Sequence, residues 1–195
     1  LSKKVSGTYQ SAFNASKNLK KNKISVIDSY SASVGLGLLA TYAVDLKQKG
    51  KKFQQIIQLV EKKKLLTEVY LVLNDLSYIV KGGRIPGKIK TLANILRLRP
   101  VLGTKKGKLK PRGVIYGKSR MVEKFAVYIN KKINQEKKYK LMIAHANAKV
   151  KGDKLSQLIL AANPNIESNY VLALGGALGA HAGPGALVVG LQEID

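Results

Sequence analysis

Apolar positions along the chain recur with two different periods, and the switches between them mark out elements. Thr8 to Asn18 carries a loose helical spacing, and Ile24 to Asp28 is a short apolar run that reads as a strand. Between Ser33 and Lys49, residues Leu36, Leu39, Ala40, Ala43 and Leu46 fall on one helical stripe, closed by Gly50 in the manner of a C-cap. Phe53, Ile56, Ile57, Leu59 and Val60 mark a second helix. Val69 to Leu73 is a continuous apolar run of strand length, and a short helix follows to Lys81. Continuous apolar strands with helices between them predict an α/β architecture, a parallel sheet flanked on both faces by helices.

The pattern changes after Gly82-Gly83-Arg84. A helix is predicted over Lys88 to Ile95, and the segment from Arg99 to Ile115 reads as two strands around a Lys-Gly turn. Glu123 to Ile133 has helical spacing, Leu141 to Ala146 is a strand, and Asp153 to Ala162 is helical again. Asn169 to Leu174 and Ala186 to Leu191 read as two short strands flanking a glycine-rich loop. These elements predict a smaller α+β domain over residues 84–195, following the remainder of an α/β domain over residues 1–83. The boundary is placed near Gly83.

Composition alters this picture in two ways. The chain carries 35 Lys plus Arg against 11 Asp plus Glu, a net charge of +24, over 195 residues. Of the basic residues 30 are lysine and 5 arginine. That ratio argues against dedicated guanine or phosphate reading, where the planar guanidinium fork is preferred. A solvated lysine-rich surface is the plainer reading of this charge, which also admits an acidic protein partner, an anionic membrane surface or nonspecific adsorption to nucleic acid. No Lys or Arg follows Lys154, so residues 155–195 are expected to be buried. The uncharged stretch from Tyr170 to Leu191 has the length of a membrane span, but six glycines, Pro184 and a central His181 favour the two strands. With no signal peptide visible, a cytoplasmic location is expected.

Candidate chemistry is sparse. There is no cysteine, which excludes disulfides, thiolate metal sites and a cysteine nucleophile, and two histidines do not make a metal cluster. If Val5 ends a strand, Ser6-Gly7-Thr8 forms a strand-to-helix turn whose free N–H groups suit an anion; Ser6 or Thr8 can equally just cap the helix. Asp28-Ser29 is either a turn former or part of the same edge. Arg84, beside two glycines, can clamp a carboxylate or phosphate, or form a salt bridge between domains. His181 lies deep in an uncharged run and needs a polar partner, supplied by a ligand anion or a backbone carbonyl. His145 reads as structural. A Ser6–His181–Asp28 triad lacks the sharp nucleophile-elbow signature of hydrolases.

Taken in order, Ser6 to Ala12 (SGTYQSA), Ile27 to Ser29 (IDS), Ser33 to Gly37 (SVGLG), Leu71 to Ile85 (LVLNDLSYIVKGGRI), Arg99 to Leu102 (RPVL), Ile143 to Asn147 (IAHAN) and Gly179 to Leu187 (GAHAGPGAL) resemble the DegV family. The resemblance implies a two-domain α/β protein that encloses one long-chain fatty acid and carries out no chemistry itself. It implies that Ser6, Arg84 and His181 hold the carboxylate, and that a separate fatty acid kinase phosphorylates it to supply phospholipid synthesis. No cofactor beyond the lipid is implied, and no specific nucleic acid; a basic nucleic-acid-binding or regulatory protein is the alternative. Two positions depart from the family pattern. Ala182 follows His181 where a threonine is usual, and Tyr116 stands where an arginine is expected, with Lys118 and Arg120 nearby. The family's Thr-Ser-Gln-Pro segment and its first strand do not occur in the sequence, so the chain reads as a fragment lacking the amino-terminal segment.

Overall fold

The computed structural model describes residues 1–19, 24–89, 98–117 and 119–194. The helix expected over residues 88–95 lies largely outside these residues, as does Lys118. The described strands are β1 (Thr67–Val72), β2 (Leu98–Lys105), β3 (Lys108–Tyr116), β4 (Tyr139–His145), β5 (Ile166–Ala173) and β6 (Leu187–Glu193). They form one sheet in the order β3-β2-β1-β6-β4-β5. The described helices are α1 (Thr8–Lys17), α2 (Val34–Gln48), α3 (Phe53–Lys63), α4 (Ser77–Lys81), α5 (Met121–Asn130), α6 (Lys149–Ala162) and α7 (Gly176–Ala182).

Both faces of the sheet are covered, as the continuous apolar runs predict. On β1, Val69 and Leu71 join the core beneath α2 and α4, whereas Tyr70 and Val72 join the core beneath α5 and α6. The same alternation runs along β4, with Met142 and Ala144 on the first face and Leu141 and Ile143 on the second. Strand direction differs from expectation. The β4–β5 pair is parallel, but β1–β2, β1–β6, β2–β3 and β4–β6 are antiparallel, so the sheet is mixed. A strand buried on both faces is apolar throughout whichever way it runs, which is why the pattern is silent on direction. β1 precedes Gly83 and pairs with β2 and β6, which follow it.

Three further expectations are corrected. Ile24–Asp28 joins no ladder among the described residues; its end is shaped instead by Asp28, whose Oδ1 accepts the backbone N–H groups of Lys3 (3.3 Å) and Tyr30 (3.1 Å). Val5 ends no strand: residues 2–6 form a turn in which the N–H groups of Val5 and Ser6 both donate to the Ser2 carbonyl. Residues 155–195 are only partly buried. β5 is an edge strand, and Tyr170 and Leu172 are about half exposed on the face that α2 leaves open. β6, by contrast, is buried from Leu187 to Gln192.

Close approach between α2 and the sheet depends on small residues. A methyl group at Gly190 of β6 would lie 2.9 Å from a Leu38 methyl and 3.0 Å from a Val34 methyl, both on α2. That contact sets the helix directly over β6, the last strand in sequence.

Candidate functional site

The stretch read as a glycine-rich loop contains a helix. Ala177, Leu178 and His181 have helical spacing, but glycine at 175, 176 and 179 lowers helix propensity enough to hide it. α7 ends at Gly183, which takes a positive φ of 72° as a C-terminal stop. This helix presents Ala177, Leu178, His181 and Ala182 to a cavity of about 340 Å³.

The remaining walls come from widely separated parts of the chain. The sheet supplies Val69, Leu71 and Val188, and the segment after α4 supplies Arg84. The β2–β3 hairpin contributes Thr104 and Leu109, while the amino-terminal turn contributes Leu1, Val5 and Ser6. The lining is mostly aliphatic. Its few polar side chains include Ser6, Arg84 and His181, the three residues that the family resemblance implies.

A second cavity of about 420 Å³ adjoins the first and is polar; it is lined by Lys3, Lys4, Val5, Ser6, Gly7, Gln10, Gly83 and Arg84. Ser6 and Arg84 belong to both cavities. They therefore stand where apolar space gives way to polar space, the place an amphiphile's head would occupy. Lys3 and Lys4 were missed at the sequence level because nothing separates them from the other 28 lysines until the turn at residues 2–6 swings them beside Arg84.

Local bonding orients each head-group candidate. Ser6 Oγ accepts the backbone N–H of Thr8 at 3.2 Å and shares a hydrogen bond with Thr8 Oγ1 at 2.9 Å. One hydroxyl thus both braces Thr8, the first residue of α1, and lines the cavity. Arg84 donates from Nη1 to the Gly82 carbonyl, which uses one of its five N–H groups. The His181 ring lies against Gly82, where its Nδ1–Cε1 edge would collide with any Cβ. Arg84 forms no salt bridge among those the described residues make.

Other candidates fall elsewhere. Asp28 lines neither cavity and acts as the turn former described above. His145 is buried at the end of β4, and its Nδ1 accepts the N–H of Ala148 at 3.4 Å, holding the turn into α6. Among the described residues no three acidic or histidine side chains are grouped to hold a metal, and no helix is long and apolar enough to cross a membrane.

A family model described as "uncharacterised protein, DegV family" matches residues 1–193. The chain belongs to the DegV family. DegV domain-containing proteins of Clostridium perfringens and Streptococcus pyogenes are 27% and 26% identical to it, over 194 and 190 residues. Those alignments cover 99% and 95% of the DegV chain described here but 68% and 65% of the relatives, so the chain spans about two thirds of their length. A solved DegV structure from Thermus thermophilus, described by its fatty acid binding, superimposes with a TM-score of 0.88 at 26% identity, covering 100% of this chain and 69% of that one. A DegV family protein from Ruminococcus gnavus, solved with vaccenic acid, gives 0.84 at 25% identity, covering 97% and 69%.

Proposed function

We propose that this DegV chain binds one long-chain fatty acid, with the acyl chain in the aliphatic cavity and the carboxylate held by Ser6, Arg84 and His181. The observation that carries the proposal is the junction of the two cavities at Ser6 and Arg84. Burying about 14 methylenes contributes roughly 11 kcal/mol gross at about 0.8 kcal/mol each, before the cost of association. An unpaired carboxylate at the end of such a chain would cancel much of this gain. A hydroxyl, a guanidinium and an imidazole answer that need. The fatty acids bound by the Thermus and Ruminococcus relatives support the same ligand class.

In this reading the protein is a cytoplasmic carrier. Residues from both sides of Gly83 line the cavity, and β1 shares one sheet with β2 and β6. The carrier presents its buried acid to a separate fatty acid kinase and supplies no chemistry of its own. The lysines at the polar mouth suit a transient contact with an anionic membrane surface. The alternative, a nucleic-acid-binding or regulatory protein, has only the net charge in its favour.

The direct test is organic extraction of the purified protein followed by mass spectrometry. A stoichiometric long-chain fatty acid is expected. Arg84→Ala and Ser6→Ala are expected to weaken retention without unfolding the protein; equal retention by wild type and both variants would remove these residues from the site.

A further inference from the structure

We infer that Gly82 is a positioning residue: the absence of a side chain there is the seat that sets the His181 imidazole. A methyl group built on Gly82 would lie 2.9 Å from His181 Cε1 and closer still to Nδ1. Real carbon atoms do not approach a ring this closely, so any larger residue must displace the imidazole. The contact puts the Nδ1–Cε1 edge against Gly82 at the end of α4, and in the proposed site Nε2 is the ring nitrogen left for the carboxylate.

The arrangement is reciprocal. Gly183, two residues beyond His181, lies against the Tyr78 ring of α4, and a methyl group there would come within 2.7 Å of the Tyr78 Cγ. Each helix thus ends in a glycine that receives a ring from the other, which fixes α4 against α7 in both position and rotation. The Gly82 carbonyl also accepts a hydrogen bond from Arg84 Nη1. One residue therefore sets two of the three head-group candidates, Arg84 through its carbonyl and His181 through its missing Cβ.

Backbone geometry separates this role from ordinary glycine flexibility. Gly82 has φ −69° and ψ −7°, a helical conformation that alanine adopts without strain. Its neighbour Gly83 is the opposite case, with φ +71° and nothing within 4 Å of an added Cβ. Gly82→Ala therefore introduces a clash without backbone strain, and Gly83→Ala introduces strain without a clash.

The ring seat stands on geometry alone, whereas its effect on ligand rests on the fatty-acid reading above. The experiment accordingly reads both. Long-range ¹H–¹⁵N spectra of the imidazoles, assigned with His181→Ala, are expected to show the His181 signals moved in Gly82→Ala, unmoved in Gly83→Ala, and an NOE from the wild-type ring to the Gly82 α-protons. Fatty-acid retention is expected to fall at least about tenfold in Gly82→Ala, and by no further factor when Gly82→Ala is added to His181→Ala. An equal loss in the His181→Ala background would overturn the positioning role, as would a missing NOE, which remains readable should the variant fail to fold. A wild-type protein that shows the NOE yet retains no fatty acid would count against the ligand and leave the seat intact.

Discussion

Tyr70 shows how one side chain couples burial to pH. It is almost wholly enclosed under α5, edge-on to the Tyr128 ring at 5.7 Å between centroids. Burial, helped by the Glu68 carboxylate, holds its phenol proton well above the ordinary tyrosine range, although the Arg112 guanidinium pulls the other way. In the unfolded chain the same phenol ionises near about pH 10. Above that pH the unfolded state has lost a proton that the folded state keeps, so stability falls as pH rises. Tyr70→Phe is expected to flatten this decline, measured as urea midpoints at about pH 9 and about pH 11. Parallel declines in both proteins would place the alkaline sensitivity elsewhere. Arg84 makes the complementary point at the same scale. Its distinction from the other basic residues lies in where the turn at Gly82-Gly83 puts it.

At the scale of elements, packing of α2 is the clearest dependence. Its contact with Gly190 leaves no room for a Cβ, and Val34 is β-branched and slow to move aside. Gly190→Ala is expected to cost about 1–3 kcal/mol through overpacking. The readout is the urea midpoint; an unchanged midpoint would show that α2 lifts from the sheet at little cost. The same scale explains why α7 escaped detection. Its glycines weaken the local helical signal, and tertiary contacts such as that with α4 supply stability that propensity withholds. β5 is the converse. Its apolar residues promise a covered strand, yet the edge position leaves Tyr170 and Leu172 open on one side.

For the whole molecule, the two leading properties are the apolar cavity and the +24 charge, and they predict separable behaviour. A fatty acid that binds only the folded chain stabilises it by mass action, about 2.7 kcal/mol at a hundredfold excess over Kd. Calorimetric Tm is therefore expected to rise with palmitate concentration, and a flat response would count against the carrier reading. Adsorption to DNA is expected to collapse by orders of magnitude between about 50 and about 200 mM salt, without sequence preference. A preferred sequence surviving the higher salt would make the charge functional in its own right.

The division between sequence and structure follows from the range of the interactions involved. Helices α1 to α6, and all six described strands, were legible because periodicity and turn residues are local signals. So was the ordered set of motifs that points to Ser6, Arg84 and His181. Strand direction was not, since burial on two faces erases the difference between parallel and antiparallel neighbours. Nor was the polar cavity, because Lys3 and Lys4 acquire meaning only when the chain folds back beside Arg84. The meeting of residues 6, 84 and 181 at one place, and the glycine that seats one of their rings, are contacts across the whole length of the chain. Such contacts exist only once the sheet has brought its distant strands together, and that arrangement belongs to the tertiary structure.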